Sequence, residues 1–217
     1  MRHAGLFLTF EGIDGSGKST QLQLLTAYLR RRGIEVVATR EPGGTPAGER
    51  IRRLLLTTAP GVLSPWAELM LMYAARAQHL EEVIRPALAQ GKIVVSDRFS
   101  DASLAYQGYG RTLGFQTVRA LDRLVCGATK PALTFLLDLP APTARKRGRR
   151  RGQSRDRRFE PEGLRFQERV RQGYLALARR EPARIKVIAA GQSVTEVQRK
   201  ICVLAEKLLR QKFTHGL

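Results

Sequence analysis

The chain has 217 residues, of which 43% are hydrophobic and 26% charged, so its length and composition fit one globular domain. No apolar run approaches the roughly 18 residues that a membrane span needs, and the short apolar N-terminus leads directly into a motif, unlike a signal peptide. Two cysteines are too few for a disulfide scaffold and indicate a reduced, cytoplasmic setting. We therefore expect neither secretion nor membrane association.

The formal net charge of +19 is unusual. The segment "RKRGRRRGQSRDRR" (145–158) carries nine basic residues and one acidic residue, a net charge of +8, and the rest of the chain carries +11. A basic chain often binds nucleic acid or another polyanion, although such charge also occurs on ordinary solvated surfaces. The segment lacks interleaved aromatic residues that would stack on bases, so we expect no specific nucleic-acid binding.

Strand-like and helical patterns alternate along the chain. The apolar run at 6–11 is followed by a glycine-rich turn and a helix that ends near Gly33, and a short helix follows the second strand. A long helix is predicted from Pro65 to Gln90 with Ser64 as its cap, and a closing helix with Ser193 or Thr195 as its cap. The predicted strands are 6–11, 34–40, 92–97, 132–139 and 184–190.

Strands that alternate with helices predict an α/β fold in which right-handed crossovers join parallel strands. Several of the runs are apolar throughout, as in strands that helices cover on both faces. We therefore expect a single domain over residues 1–217, a three-layer sandwich with a five-stranded parallel sheet. Ligands in such folds bind at the carboxyl ends of the strands.

The segment "GIDGSGKS" (12–19) matches the P-loop pattern G-x-x-x-x-G-K-[ST] and lies between a predicted strand and a predicted helix. Its glycines allow the backbone N–H groups to surround phosphate oxygens, and the positive end of the helix strengthens that attraction. Lys18 is expected to reach the β- and γ-phosphates, and Ser19 to bind Mg²⁺. The predicted ATP-binding residues are Gly12, Ile13, Asp14, Gly15, Ser16, Gly17, Lys18, Ser19 and Thr20.

The strand 92–97 ends in Asp97 followed by Arg98, and this pair limits the classes of reaction that the site could catalyse. A hydrolase, a molecular switch and a small-molecule kinase all remain open from the P-loop alone, but hydrolysis needs a group that orients water. Arginine cannot take a proton, whereas it grips phosphate with two parallel hydrogen bonds. We therefore expect Arg98 to hold the phosphate of an acceptor, and Asp97 to help hold magnesium.

A transfer from one phosphate to another requires several cations, because two polyanions must be held together. The basic segment lies between a predicted strand and a predicted helix, and its glycines and charge density argue against a packed element. We interpret a region at about 143–160 as a lid that supplies an arginine to the reaction and excludes water.

The chain resembles bacterial thymidylate kinases over nearly its full length. The matching pieces are "FEGIDGSGKSTQ", "TREPGGTPAGERIR", "YAARAQH", "SDRFSDASLAYQGYGR", "LDLP" and "DRRFEPEGLRFQERVRQGY". "EPGGT" together with "DR" and "AYQG" is the specific part of the pattern. The resemblance implies conversion of dTMP to dTDP with ATP, dependence on Mg²⁺ and a homodimer.

The resemblance also implies roles for individual residues. Arg98 is expected at the phosphate of dTMP, with Glu41 in a supporting loop nearby. Asp14 is expected at the acceptor's sugar and phosphate, and Tyr106 at the ribose 2′ position. Arg76 is expected near the base and the phosphate, and Ser103 and Gln107 at the edge of the thymine. Catalytic roles are implied for Lys18, Asp14, Arg98 and the lid arginines Arg149 and Arg155, with Arg150 beside them.

Two features of the chain depart from parts of the family pattern. Met72 occupies a position that is usually a phenylalanine stacked on thymine, so we expect weaker contact with the base. Gly15 occupies a position that is arginine in one branch of the family, so the catalytic arginine is expected from the lid.

Other interpretations stay open at this stage. Arg76, Tyr106, Asp14 and Glu41 each have a structural alternative, as a surface arginine, a core residue, a turn former and an ion-pair partner. A kinase for another monophosphate and a P-loop nucleic-acid-binding ATPase remain alternative functions.

Overall fold

The computed structural model describes residues 5–59, 61–150 and 163–213 of the chain. Its centre is a parallel sheet of five strands in the order β2-β3-β1-β4-β5. The strands are β1 (Leu6–Glu11), β2 (Val36–Arg40), β3 (Ile93–Asp97), β4 (Leu133–Asp138) and β5 (Ile185–Ala189). The predicted α/β class and the five-stranded parallel sheet are confirmed.

The helices lie between the strands in sequence and surround the sheet. They are α1 (Lys18–Arg30), α2 (Pro46–Thr57), α3 (Pro65–His79), α4 (Arg85–Ala89), α5 (Ser100–Ser103), α6 (Phe115–Cys126), α7 (Ala141–Arg150), α8 (Gly163–Arg180) and α9 (Val194–Phe213). Two π-helical stretches, Leu80–Ile84 and Leu104–Gly110, continue α3 and α5.

The central strand β1 is buried along its whole length, as the apolar run at its position predicts. Side chains alternate between the two faces of a strand, so Leu6, Leu8 and Phe10 share one face and Phe7 lies on the other. Phe7 packs edge-on against Phe99 with 4.8 Å between the ring centres. Both faces of the sheet are therefore covered.

Two local features differ from the expectations. The predicted helix from Pro65 to Gln90 is helical up to Ala89 but contains the π-helical turn Leu80–Ile84. Residues 145–150 belong to α7 and are not an unpacked segment. The buried side chains of Ala141 and Ala144 give this helix an apolar side despite its charge.

Glu11 ends β1, and its buried carboxyl group fixes the turn that follows β3. Its Oε1 accepts a hydrogen bond from the N–H of Phe99 at 2.7 Å, and its Oε2 accepts one from the Tyr174 hydroxyl at 2.7 Å. Burial, together with nearby Asp101, raises the pKa of Glu11 to about 8 despite these hydrogen bonds. The group that orders the turn therefore resists ionisation.

This raised pKa predicts a pH-dependent stability. The unfolded chain releases the Glu11 proton near pH 4.5, whereas the folded protein keeps it up to about pH 8. The folded state therefore binds more protons between these values, so the contribution of Glu11 to the free energy of unfolding is greatest below the lower value and is lost as the pH rises to the higher one. E11Q cannot ionise and should remove a slope of up to about 1.4 kcal/mol per pH unit.

Urea unfolding at several pH values between about 5 and about 8 measures this slope. E35Q is the matched control, because Glu35 is well exposed, and it should keep the wild-type slope. Equal slopes for E11Q and the wild type would contradict the prediction.

Candidate active site

The loop between β1 and α1 has the backbone conformation that the P-loop pattern predicts. Gly12, Gly15 and Gly17 have φ angles of 133°, 81° and 100°, in the region that favours glycine. The loop leads into α1, whose first residue is Lys18. The N-terminus of a helix and the N–H groups before it form a site for phosphate.

Lys18 is buried inside this loop, where its ammonium group donates to the carbonyl oxygen of Ile13 at 3.0 Å. It also lies 3.9 Å from the Asp14 carboxylate. Burial and the nearby Arg98 lower the pKa of Lys18, because both disfavour its charged form. An anionic ligand in the loop would favour that charge.

Ser19 and Asp97 meet at the carboxyl edge of the sheet. The Ser19 hydroxyl donates to Oδ2 of Asp97 at 2.7 Å. The Oδ1 atom of Asp97 is buried, accepts no hydrogen bond from any described residue, and lies 3.8 Å from Nη1 of Arg98. A hydroxyl and a carboxylate with a spare buried oxygen are the hard oxygen donors that Mg²⁺ takes. The two predicted metal-binding residues therefore lie together, and their chemistry fits this ion.

Arg98 follows β3 with a φ angle of 70°, a conformation that non-glycine residues rarely adopt. Its carbonyl oxygen accepts from the Ser96 hydroxyl at 2.7 Å, and its N–H donates to the Phe10 carbonyl at 2.9 Å. These contacts and the hydrogen bond from Phe99 to Glu11 hold the turn. The strained backbone directs the arginine side chain toward the P-loop.

The Arg98 guanidinium lies between Asp14 and Tyr106. It forms an ion pair with Asp14, and its Nη2 donates to the Tyr106 hydroxyl at 3.3 Å. Burial alone would raise the pKa of the Asp14 carboxyl, but Arg98 and Lys18 outweigh it and the pKa is lowered. Asp14 is therefore an anion that holds two cations beside the P-loop.

A pocket of about 620 Å³, open to solvent at its mouth, adjoins these residues. It contains all of the predicted substrate-binding residues. The side chains that line it are Asp14, Glu41, Pro42, Arg52, Leu55, Leu56, Met72, Arg76, Arg98, Phe99, Ala102, Ser103, Tyr106 and Gln107.

Arg76 is 2% exposed and is held from two directions. Its Nε donates to Oε2 of Glu41 at 2.8 Å, and its Nη2 donates to the Phe99 carbonyl and the Ser103 hydroxyl, each at 3.0 Å. Its buried Nη1 makes no hydrogen bond to any residue that the structure describes. The pocket therefore offers a fixed, charged donor to an acceptor atom of a ligand.

Glu41 was expected in a supporting loop near Arg98, and its side chain contacts Arg76 instead. Only its backbone approaches that turn, through an N–H that donates to the Asp97 carbonyl at 2.9 Å. The second oxygen of Glu41 lies 3.0 Å from Nδ1 of His79, whose Nε2 is 2.7 Å from the Thr39 hydroxyl. His79 was given no role in the sequence analysis, because its contacts are distant in sequence.

Glu68 is a second buried residue that the sequence analysis did not single out. Its Oε1 accepts from Nε2 of Gln107 at 2.7 Å, and its Oε2 accepts from Nη2 of Arg111 at 3.1 Å. Gln107 thus lies between the pocket and a buried carboxylate. A glutamate in the first turn of a helix is ordinarily a surface residue, so no sequence pattern predicts this contact.

Helix α7 packs directly against the P-loop. A Cβ atom on Gly15 would lie 2.2 Å from the carbonyl oxygen of Ala144, so no side chain fits there. Arg147 holds the same helix to the loop after β5, with hydrogen bonds to the carbonyls of Ala190 at 2.7 Å and Gly191 at 3.4 Å. The base of the predicted lid is therefore a packed helix.

The lid arginines themselves are not described. Arg155 lies outside the described residues, and so do the side chains of Arg149 and Arg150. Within the described ranges, no cluster of three or more His, Cys, Asp or Glu side chains could hold a metal. No helix among the described residues is both long and apolar enough to cross a membrane.

Comparison with known proteins identifies the family. The family model described as thymidylate kinase matches residues 10–201. The chain belongs to the thymidylate kinase family. The prediction of this family is confirmed.

Individual relatives match along most of their length. A thymidylate kinase of Pseudomonas syringae pv. syringae is 50% identical over 205 residues, which cover 94% of this chain and 97% of the relative. One from Alkalilimnicola ehrlichii is 51% identical over 193 residues, covering 89% of this chain and 88% of the relative. The crystal structure of the Ehrlichia chaffeensis thymidylate kinase superimposes with a TM-score of 0.77 at 35% identity, covering 94% of this chain and 99% of that chain.

The contact between Gly15 and α7 predicts the effect of a small substitution. Alanine at position 15 must adopt a left-handed backbone and displace either the P-loop or α7, so the KM for ATP should rise at least about tenfold. Steady-state kinetics with varied ATP measure the change.

G33A is the matched control for this substitution. Gly33 also has a positive φ, of 75°, but no atom lies within 4 Å of its would-be Cβ. G33A should lower the melting temperature without changing the KM for ATP. The same KM in G15A and G33A would show that the contact is unimportant for binding ATP.

Proposed function

We propose that the protein transfers the terminal phosphate of ATP to dTMP, giving dTDP for the synthesis of dTTP. The observation that carries this proposal is a pair of arginines, the buried Arg76 and the half-buried Arg98, in one pocket that adjoins the P-loop. One arginine is placed to bind an acceptor phosphate, and the other has a free buried donor for a base. Family membership supports thymidylate as the acceptor.

In this proposal the P-loop holds ATP through residues 12–20. Its backbone N–H groups and the N-terminus of α1 bind the phosphates, and Lys18 neutralises the transferred group. Ser19 and Asp97 would hold Mg²⁺ through the oxygens that meet at the sheet edge. When bound, the ion supplies charge neutralisation for the β- and γ-phosphates.

The acceptor would occupy the pocket with its phosphate toward the P-loop. Arg98 binds that phosphate, and Asp14 fixes Arg98 and faces the acceptor's sugar and phosphate. The Tyr106 hydroxyl contacts both Arg98 and Asp14, and its ring would crowd a ribose 2′-hydroxyl and favour the deoxy sugar. An attacking phosphate oxygen needs no strong base, so the chemical task of these residues is to hold the two anions in line.

The base would lie at the far end of the pocket. Arg76 donates to a carbonyl oxygen of the base through Nη1, and Glu41 keeps Arg76 in place. Ser103, Gln107 and Met72 complete the base site. Met72 gives apolar contact without the flat face of an aromatic ring.

A lid at about 143–160 would close over both nucleotides, with Arg149 or Arg155 adding a cation to the transferred phosphate. The packing of α7 against the P-loop supports this, because it brings the start of that region to the donor site. Water excluded in this way could not compete as the acceptor.

The proposal is tested by incubating the protein with ATP, Mg²⁺ and one candidate acceptor at a time, followed by chromatography of the products. We expect dTDP from dTMP, and little product from dCMP or dGMP. Turnover of a different monophosphate in preference to dTMP would support a kinase for that nucleotide. ATP consumption stimulated by DNA without dTDP formation would support a nucleic-acid-binding ATPase.

R98A serves as the variant in the same assay. Loss of one donor to the developing charge should lower kcat/KM for dTMP roughly 100-fold or more, through both a higher KM and a lower kcat. ATP binding should survive. R85A is the control, because Arg85 bonds to Thr129 at 3.3 Å away from the pocket. Normal turnover by R98A would contradict the acceptor assignment.

We propose a homodimer, in keeping with the family. The adjacent helices α2 and α3 expose Leu54, Trp66 and Met70, which are 46%, 48% and 49% exposed. Large apolar side chains grouped on one surface often mark an interface, and a second copy of the chain is the proposed partner. Sedimentation should give twice the monomer mass, and W66E should give a monomer. A monomeric wild type would contradict the assembly.

We also propose that the enzyme acts in the cytoplasm. Its cysteines, Cys126 and Cys202, are both free, as in a reducing compartment. Cell fractionation with an antibody to the protein would check this, and recovery outside the cytoplasm would contradict it.

A further inference from the structure

The contact between Glu68 and Gln107 joins the pocket to a buried ion pair. Glu68 is fully buried in the first turn of α3, and Gln107, which is 1% exposed, lines the pocket from the π-helical stretch Leu104–Gly110. Arg111 donates to the second oxygen of Glu68. The three side chains form a row that runs from the pocket wall to Arg111.

The polarity of this row fixes the orientation of the Gln107 amide. A carboxylate only accepts hydrogen bonds, and an arginine only donates them. Arg111 therefore occupies one oxygen of Glu68, and the group that Gln107 turns toward the other oxygen must be its NH2. The carbonyl oxygen of Gln107 lies on the other branch of the amide, away from Glu68.

Arg76 provides the complementary group nearby. Its Nη2 donates to the Ser103 hydroxyl, and Ser103 lies four residues before Gln107 on the same helical segment. Side chains four residues apart lie on the same side of a helix. Both Arg76 and Gln107 line the pocket, which therefore offers a donor, Nη1 of Arg76, and an acceptor, the Gln107 carbonyl.

We propose that Glu68 is a positioning residue that sets the base selectivity of the enzyme. By holding the Gln107 amide group, it presents a hydrogen-bond acceptor, next to the Arg76 donor, to the edge of the base. Thymine matches this pair, because it offers a carbonyl oxygen at O4 and a donor at N3–H. Cytosine offers the reverse, an amino group and an unprotonated N3. The inference rests on the proposed function and specifies how the acceptor is chosen.

E68Q should reverse the polarity of the row. Arg111 can only donate, so it should take the carbonyl oxygen of the new glutamine and leave that residue's NH2 facing Gln107. The Gln107 amide must then turn its carbonyl toward position 68 and present its NH2 to the pocket. A site that hydrogen-bonds one kind of base edge rejects a base with a different edge, because the polar groups of the site are then left unpaired.

The experiment compares kcat/KM for dTMP and for dCMP in the wild type and E68Q. We expect the dTMP-to-dCMP ratio to fall at least about tenfold in E68Q, with most of the change in turnover of dTMP. A double variant, E68Q/R111Q, tests the part that Arg111 plays. It removes the arginine that can only donate to position 68, so the new glutamine can turn its oxygen toward Gln107 and the ratio should rise above that of E68Q.

D101N is the matched control for general damage to a buried ion pair. Asp101 is 2% exposed and accepts two hydrogen bonds from Arg184, at 2.7 and 2.8 Å, but it does not line the pocket. D101N should lower the melting temperature without changing the ratio of kcat/KM for dTMP to kcat/KM for dCMP. A purely structural role for Glu68 would give the same result for E68Q.

The outcomes separate the inference from the proposed function. A wild type that forms dTDP, with an unchanged ratio in folded E68Q, would overturn the role of Glu68 alone. A wild type that forms no dTDP would overturn both.

If E68Q does not fold, the wild type is assayed with dTMP methylated at N3, which has no donor for Gln107. Normal turnover of this analogue would overturn the inference, and its loss would support it.

Discussion

Ion pairs between arginines and carboxylates hold the side chains of this site in position. Arg98 pairs with Asp14, and Arg76 pairs with Glu41, so each pocket arginine has its own anion. A buried charge without a partner is costly, and a bidentate arginine needs a fixed orientation to be useful. The carboxylates meet both needs while leaving positive charge for two nucleotides.

The topology of the sheet explains how these pairs come together. β1 lies at the centre with β3 and β4 as neighbours, so the P-loop after β1 and the Asp97–Arg98 turn after β3 meet at one edge. Residues distant in sequence are therefore neighbours in space. Glu11 connects the two segments, because it belongs to β1 and its carboxyl group accepts a hydrogen bond from the backbone of the turn after β3.

Much of the fold and part of the site could be predicted from the sequence. Apolar runs mark strands covered on both faces, and the glycine spacing of 12–19 requires a phosphate-binding loop. The Asp97–Arg98 pair likewise indicated an arginine opposite the P-loop, and the structure has Arg98 there, paired with Asp14. These signals are local, since each depends on neighbouring residues.

The features that were missed depend on distant contacts. Glu68 and His79 carry no local pattern, and their partners lie 39 and 38 residues away in sequence. The basic segment was expected to be unpacked, but its residues 145–150 belong to α7. This helix has an apolar side of small buried alanines, and its Arg147 donates to backbone carbonyls. The charge density of a segment does not predict contacts with residues that are distant in sequence.

The close approach of Gly15 to Ala144 constrains how the enzyme can open and close. The first turns of α7 are fixed at the P-loop on one side and at the loop after β5 on the other. In the proposed lid at about 143–160, a hinge would therefore have to lie beyond Arg147, and Gly148, whose would-be Cβ has no atom of a described residue within 4 Å, has the room to serve as one. Nucleotide exchange would then leave the donor's phosphate site undisturbed, so the enzyme need not rebuild it in each catalytic cycle.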